Sequence, residues 1–293
     1  MRRRTAYLLI VLIAAFIFAF GHDVLQRVAP EASSLVDLLL ATVAGNEKIE
    51  RASVPFPPVE RRLVIMVAGQ SNAGNWGAKR TQPSHTNVLN YDIQGGALYR
   101  ARDPMAGTDG FGGSFMPRLG DLLIDAGVAD AVVFVPIAVG STSVADWTFL
   151  AFKDRLAQGA AAAQRAGLAP DVILWQQGES DAVESTPTVF YIRRFEKMIE
   201  GLRAVSDAPV LVAIASHCGE ESKPGEAAVR AAQVAVVSQE RKIYAGPDQD
   251  KITDRRAEDD CHMTEVGLAK AADAWAHIIR GWAAAKAGTP AGP

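Results

Sequence analysis

Four short polar segments, far apart along the chain, carry the residue types that attack an acyl carbonyl. They are GQSN at 69–72, GSTSVADW at 140–147, WQQGESDA at 175–182 and DDCH at 259–262. A serine hydroxyl becomes a nucleophile when a histidine takes its proton, and a carboxylate can orient that histidine. Ser71, His262 and Asp259 supply these three groups, so they are candidate catalytic residues.

The spacing of Asp259 and His262 suits this partnership. Residues three apart can share a tight turn, in which the carboxylate accepts from one imidazole nitrogen and leaves the other free as a base. A lone pair at this spacing also arises by chance or as a helix cap, and Ser71 could itself cap the helix that follows it. The case for chemistry therefore depends on whether the four segments meet.

The hydrophobic pattern predicts elements that bring the segments together. Five apolar runs are typical of buried strands, at 63–68, 131–139, 172–175, 210–215 and 242–244. Helical stretches alternate with them, at 115–126, 149–166, 188–205, 224–240 and 264–285. This alternation predicts a parallel sheet covered by helices on both faces, with its ligand site at the carboxyl ends of the strands. Three of the polar segments come at a strand's carboxyl end, so we expect them to share one edge of the sheet.

At such an edge, Gly140 can present a backbone N–H to a ligand, although an isolated glycine is more often a plain turn residue. The stretch 176–181 is dense in polar side chains for the end of a buried strand. Buried amides and carboxylates need hydrogen-bond partners. This cluster therefore either contacts a ligand or holds the loops together.

The composition excludes some classes of function. The 293 residues allow one large domain or two small ones, and the net charge of −3 gives no field that would attract nucleic acid. Two cysteines provide no zinc motif. We therefore expect neither a nucleic-acid partner nor a metal site.

The N-terminus carries a separate signal. Three arginines at 2–4 precede an unbroken apolar run at 6–20, which is typical of a membrane anchor or an export signal. We favour an uncleaved anchor for residues 1–21 that leaves the rest of the chain on the periplasmic or extracellular side. A signal cleaved near Gly21, giving a secreted protein, and a buried helix are the alternatives. We place a stem at 22–58, the main domain at 59–287 and a tail at 288–293.

The four motifs resemble those of the SGNH (GDSL-like) hydrolase superfamily, in particular its sialate O-acetylesterase and carbohydrate esterase family six branch. The pair formed by GQSN and QGESD is the more specific signal, and the likeness extends over about residues 60–285. It implies a three-layer α/β/α sandwich of flavodoxin-like type with a five-stranded parallel sheet. It also implies Ser71 as nucleophile, His262 as general base and Asp259 as its orienting acid, with no metal or other cofactor.

By the same resemblance, the backbone N–H groups of Ser71 and Gly140 would bind the oxyanion. Many relatives add an asparagine, which this chain lacks at that place. We expect Gln177 to replace it, because an amide can donate a hydrogen bond and the Glu179 carboxylate cannot. Glu179 would instead hold the loop or act as an alternative acid partner of His262.

The remaining site candidates flank the proposed nucleophile. Gln70 and Asn72 are the two amides beside Ser71, and we expect them to contribute to the substrate or oxyanion site. Aromatic residues in the glycine-rich segment 75–113 could stack on a sugar ring or pack that loop against itself.

The resemblance implies a serine esterase that removes acetyl groups from O-acetylated carbohydrate. Two alternatives keep the same fold. One is a membrane-anchored polysaccharide O-acetyltransferase that uses the same three residues, and the other is a carbohydrate-binding module without catalysis. The sequence alone does not separate the esterase from the transferase.

The two cysteines permit one further prediction. Cys218 follows the fourth predicted strand and Cys261 lies inside DDCH, and neighbouring loops of a parallel sheet can lie side by side. In an exported domain they would form a disulfide that fastens the histidine loop, and otherwise they would remain two buried thiols.

Overall fold

The computed structural model describes residues 51–150 and 152–286, and the predicted anchor, the stem up to residue 50 and the tail lie outside these ranges. The described residues form a seven-stranded sheet. Its strands are β1 (Arg62–Gly69), β2 (Val88–Asp92), β3 (Ala97–Arg100), β4 (Ala131–Pro136), β5 (Val172–Gln176), β6 (Val210–Ile214) and β7 (Ile243–Asp248). The spatial order is β3-β2-β4-β1-β5-β6-β7, and only the β2–β3 pair is antiparallel.

The predicted parallel sheet is confirmed, but its five-strand count is wrong. The five predicted runs became β4, β1, β5, β6 and β7, which stand side by side in the order typical of flavodoxin-like sheets. Strands β2 and β3 extend the sheet beyond β4 and lie inside the segment at 75–113. They escaped prediction because their sequences, VLNYD and ALYR, are short and partly polar.

Within the described residues, six α-helices flank the sheet. They are α1 (Met116–Asp125), α2 (Arg155–Arg165), α3 (Glu179–Val183), α4 (Thr188–Arg203), α5 (Gly219–Ala235) and α6 (Glu265–Lys286). Apolar residues of α1 and α6 share one buried cluster with one face of the sheet, and those of α2, α4 and α5 share a second cluster with the other face. The described residues therefore form the expected three-layer α/β/α sandwich.

Several boundaries differ from the predictions, and two of these differences have a local reason. Helix α5 begins at Gly219, because Pro224 is accommodated inside the helix instead of starting it. At the other end of the domain, Ser53 bridges to Tyr99 and the Val54 N–H donates to the Leu98 carbonyl, so these two stem residues pair with β3. Within the described ranges, no helix combines the length and apolar character needed to cross a membrane.

Candidate active site

A sharp turn at the end of β1 places Ser71 at the carboxyl edge of the sheet. Gly69 has φ of 133°, and a Cβ there would lie 1.9 Å from the Gln176 carbonyl oxygen, so the neighbouring strand leaves room only for glycine. Ser71 then opens a single 3₁₀ turn over Ser71–Ala73, and the residue in the cap position is Gln70. Helix capping therefore does not explain the serine.

The Gln70 side chain joins this turn to the loop after β5. Its Oε1 accepts hydrogen bonds from the backbone N–H groups of Gly178, at 3.2 Å, and Ser180, at 3.1 Å. Gln70 is buried, and its Oε1 binds backbone groups of the protein itself. The structure thus gives it a positioning role beside Ser71.

Asn72 brings the serine turn and the histidine loop into contact. Its Nδ2 donates to Glu179 Oε1 at 2.9 Å and to the Cys261 carbonyl oxygen at 3.2 Å. The residue after Ser71 therefore touches the residue before His262. This contact joins two segments that lie 189 residues apart in the sequence.

Asp259 and His262 form the expected pair. His262 Nδ1 lies 2.8 Å from Asp259 Oδ2, while Asp259 Oδ1 accepts from the backbone N–H groups of Cys261 and His262, each at 3.0 Å. The tight turn thus satisfies both carboxylate oxygens and fixes the plane of the imidazole ring. The spacing allowed this geometry, and the family resemblance implied the pairing.

The electrostatics of the pair suit a neutral base beside an ionised acid. Burial by itself would raise the pKa of Asp259, but hydrogen bonds from the His262 ring and two backbone N–H groups outweigh it and hold the pKa at about 2. Burial lowers the pKa of His262 below 6.5, and the bond to Asp259 offsets only part of this effect. Near neutral pH, Asp259 is therefore charged and His262 is predominantly neutral.

Trp76 and Asp109 line the side of the site next to His262. The Trp76 and His262 rings stack with their centroids 5.5 Å apart and their planes inclined by 22°. Trp76 Nε1 donates to Asp109 Oδ1 at 3.1 Å, and the Gly140 N–H donates to Asp109 Oδ2 at 2.8 Å. The candidate oxyanion donor Gly140 therefore faces a negatively polarised oxygen in this structure, and that oxygen belongs to the protein itself.

The structure argues against Gln177 as the third oxyanion donor. Its Nε2 lies within hydrogen-bond distance of Asp181 Oδ2 at 2.6 Å, the Thr142 carbonyl at 2.9 Å and Gln70 Oε1 at 3.2 Å. The side chain is fully buried. Both amide hydrogens therefore have internal acceptors, and Gln177 holds the loops after β4 and β5 together.

Of the two roles expected for Glu179, the structure favours the one in which it holds the loop. Its Oε1 binds Asn72, and the hydrogen bonds of the described residues join the His262 ring to Asp259 and Arg256 but not to Glu179. Burial raises the pKa of Glu179, and the hydrogen bond from Asn72 opposes this rise. Glu179 therefore supports the serine turn through Asn72.

Comparison with known proteins identifies the family. Residues 61–280 match the family model described as carbohydrate esterase, sialic acid-specific acetylesterase. The chain belongs to this family. No curated protein sequence matches it.

Solved structures agree with the fold of this carbohydrate esterase. A protein from Arabidopsis thaliana has a TM-score of 0.62 and 16% identity over 75% of this chain and 98% of its own. NanS has a TM-score of 0.54 and 15% identity over 76% and 98% of the two chains. A carbohydrate acetylesterase from Xanthomonas citri has a TM-score of 0.50 and 15% identity over 76% and 57%. These likenesses show the fold, and the family match shows that the protein is a carboxylic ester hydrolase.

Three residues of the esterase site were missed by the sequence analysis. Trp76 was included only among the aromatic residues of the segment 75–113 that could stack on a sugar ring or pack the loop, and Asp109 and Arg256 were not singled out. Their partners lie far along the chain or on the opposite side of a turn, so no local spacing marks them. A buried carboxylate such as Asp109 is recognisable only once its burial is known.

The predicted disulfide of the esterase is confirmed. Cys218 and Cys261 are joined, and the bridge ties the histidine loop to the start of α5. A second contact reinforces it, because His217 Nε2 lies 3.1 Å from Asp260 Oδ2. The DDCH turn is thus fastened on its outer side.

Replacing both cysteines by alanine is expected to lower the free energy of unfolding by about 4 kcal/mol in the chain-entropy model. The bridge closes a loop of 43 residues, and its loss enlarges the unfolded ensemble. Urea unfolding of the oxidised protein and the double variant measures the difference. Reduced wild type should match the double variant, and equal midpoints for the oxidised protein and the variant would contradict the prediction.

Proposed function

We propose that this protein is a serine esterase that removes acetyl groups from O-acetylated carbohydrates through Ser71, His262 and Asp259. The observation that carries the proposal is the contact between Asn72 and the Cys261 carbonyl, which brings the Ser71 turn against the loop of the His262–Asp259 pair. The family match supports acetylesterase activity and a carbohydrate substrate.

In the proposed first step, Ser71 Oγ attacks the acetyl carbonyl carbon while His262 Nε2 accepts the hydroxyl proton. Nε2 is the free ring nitrogen, because Nδ1 binds Asp259. The resulting imidazolium is stabilised by the Asp259 carboxylate. His262 then gives the proton to the leaving sugar oxygen, and an acetyl-serine remains.

In the second step, water replaces the sugar. His262 takes a proton from the water as it attacks the acetyl-serine carbonyl, and then returns that proton to Ser71 Oγ as acetate leaves. The chemistry of both steps needs only groups that the chain itself supplies.

The oxyanion of both steps would be bound by the backbone N–H groups of Ser71 and Gly140. The hydrogen bond from the Gly140 N–H to Asp109 Oδ2, at 2.8 Å, supports this role, because the N–H is directed at a carboxyl oxygen. In the proposed cycle the substrate oxygen takes the place of Asp109 Oδ2.

The test is a panel of acetylated sugars, including O-acetylated sialic acid and acetylated xylan, with acetate release as the readout. Wild type should release acetate from at least one of them, and the panel then identifies the sugar. Adding a non-acetylated glycan as acceptor distinguishes transfer from hydrolysis, since a transferase would acetylate the glycan. Failure of the wild type to cleave any acetyl ester would contradict the proposal.

The acid limb of the kcat/KM profile is expected below pH 6.5. Only neutral His262 accepts the serine proton, and burial lowers its pKa from that value, so the base stays competent as the pH falls through 6.5. A profile with a small chromogenic acetate ester between pH 4 and 9 measures the limb. A limb above pH 7 would show that another group controls turnover or that His262 is stabilised in its charged form.

We also propose that the enzyme is exported and held at the membrane by residues 1–21. The basic residues at 2–4 and the apolar run at 6–20 support this, as does the disulfide, which persists in oxidising compartments. Cell fractionation with an intact and a truncated N-terminus tests it. Membrane-bound full-length protein supports an anchor, whereas recovery in the cytosol would contradict export.

A further inference from the structure

Arg256 lies against both members of the His262–Asp259 pair. Its Nη2 contacts Asp259 Oδ2 and lies 2.8 Å from His262 Nδ1. Backbone bonds hold the arginine in place, because its N–H donates to the His262 carbonyl at 2.8 Å and its carbonyl accepts from the Asp260 N–H at 2.8 Å. About a quarter of the side chain is exposed, at 26%.

Arg256 and Asp259 compete for one ring nitrogen. His262 Nδ1 lies 2.8 Å from Asp259 Oδ2 and 2.8 Å from Arg256 Nη2. A guanidinium only donates and an ionised carboxylate only accepts, so Nδ1 must carry a hydrogen for Asp259 or a free electron pair for Arg256. The two bonds therefore belong to different tautomers of the neutral imidazole.

Only one of these tautomers suits catalysis. With hydrogen on Nδ1, the bond to Asp259 forms and Nε2 keeps the electron pair that accepts the serine proton. With the bond from Arg256, Nδ1 is bare and the hydrogen sits on Nε2, which then cannot act as a base. Arg256 Nη2 also donates a hydrogen bond to Asp259 Oδ2, and this is the oxygen whose contact with Nδ1 favours the first tautomer.

The positive charge of Arg256 acts in the same neighbourhood. A cation beside the ring disfavours the imidazolium and lowers the pKa of His262, and Arg255 adds a weaker effect of the same sign. Two carboxylates of this loop oppose this effect: Asp259, which contacts the ring, and Glu258, whose Oε1 lies 3.8 Å from Arg256 Nε. From the other elements, Asp109 lies behind Trp76 and Glu179 lies behind Asn72, so neither contacts the ring directly.

We propose that Arg256 is a positioning residue that sets the tautomer and the charge of His262 through its shared contacts with Nδ1 and Asp259. Its catalytic meaning depends on the function proposed above. The tautomer and the titration of the ring can nevertheless be measured without any substrate, so the two proposals can fail separately.

The experiment is ¹⁵N NMR of histidine-labelled protein between pH 4 and 9, with His262→Gln used to assign the ring signals. Arg256→Met removes the charge and the competing donor. We expect its Nδ1 signal to move toward the protonated value and its titration midpoint to rise by about one pH unit, a partly screened charge effect. Arg256→Lys keeps the charge and should leave the midpoint within a few tenths of a unit of wild type.

Arg118→Met is the matched control. Arg118 of α1 forms an exposed ion pair with Asp273 of α6, and neither residue belongs to the histidine loop. It should leave the tautomer, the midpoint and the activity unchanged. Thermal unfolding of all variants verifies that each is folded at the temperature of the measurement.

The pH profile of kcat/KM separates positioning from a merely structural role. Arg256→Met should move the acid limb upward by the same shift as the midpoint, whereas simple damage to the loop would lower the rate equally at all pH values. An unmoved midpoint and tautomer in folded Arg256→Met would overturn the inference. If the NMR signals shift as expected but wild type cleaves no ester, the proposed function fails and the positioning inference stands.

Discussion

Ser71→Ala is expected to lower kcat/KM for acetyl esters by on the order of 10⁴-fold or more. In the proposed mechanism, the variant lacks the hydroxyl that forms the acyl intermediate, so water must attack the ester with help from the oxyanion donors alone. Acetate release from the best substrate of the panel measures the loss. An inactive variant that still binds the acetylated sugar would show that the hydroxyl acts in the chemical step.

The substitution should leave the fold intact. Within the described part of the chain, Ser71 Oγ forms no hydrogen bond that alanine would break, and the turn is held by Gln70 and Asn72. Ser84→Ala is the control, because Ser84 is exposed and its structural bond to Asp121 uses the backbone N–H. If Ser71→Ala keeps more than a tenth of wild-type turnover, another nucleophile must be at work.

The central sheet was predictable because burial on both faces requires nearly continuous apolar strands. The run at 63–68 illustrates this, since every residue from Leu63 to Gly69 in β1 is buried. The strands that extend the sheet beyond β4 do not show this apolar pattern. Asn90 in β2 is buried although polar, because its side chain bonds to both the N–H and the carbonyl of Ala106, and no pattern in the strand announces such a partner.

The candidate site was predictable where the chemistry is local and not where it depends on distant contacts. Asp259 and His262 sit within one turn, so their spacing already allowed the contact that the structure shows. Gln177 was chosen for its amide alone, and the structure shows that Asp181, one helical turn later, binds that amide. Residue type indicates what a group can do, but its neighbours decide whether it is free to do it.

The same distinction applies to Gly140. The sequence predicted an available backbone N–H at the strand end, and the structure provides one that is bound to Asp109. Asp109 comes from the segment before α1, which was interpreted as a loop with aromatic residues. A buried carboxylate with two N–H donors, raised in pKa by burial, marks this segment as part of the site wall.

Asp259→Asn is expected to lower kcat by about 10³- to 10⁴-fold, as in the serine–histidine–aspartate template. An asparagine can keep its oxygen on the two backbone N–H groups that Asp259 Oδ1 now binds, but it then directs its NH₂ group at His262 Nδ1. That donor selects the tautomer with hydrogen on Nε2, which cannot accept the serine proton. Steady-state kinetics with the same ester measure the effect.

Asp260→Asn is the matched control, since it changes the adjacent carboxylate. Its side chain is 61% exposed and its ring contact is with His217, not His262. Asp260 has φ of 44°, a conformation that asparagine adopts readily, so the turn should persist. We expect this control to stay within about threefold of wild type, since exposed pairs contribute little. Equal losses in the two variants would mean that Asp259 acts only through loop stability.

The pH profile provides a second test of Asp259→Asn, because the direction in which the acid limb moves can be predicted. Removing the anion takes away the charge that favours the imidazolium, so the pKa of His262 and the acid limb of the residual activity should move downward. Arg256→Met should move the same limb upward, because it removes the opposing cation. Opposite shifts of the acid limb in the two variants would show that the charges of Asp259 and Arg256 both act on the pKa of His262. Shifts of the same sign would contradict that arrangement.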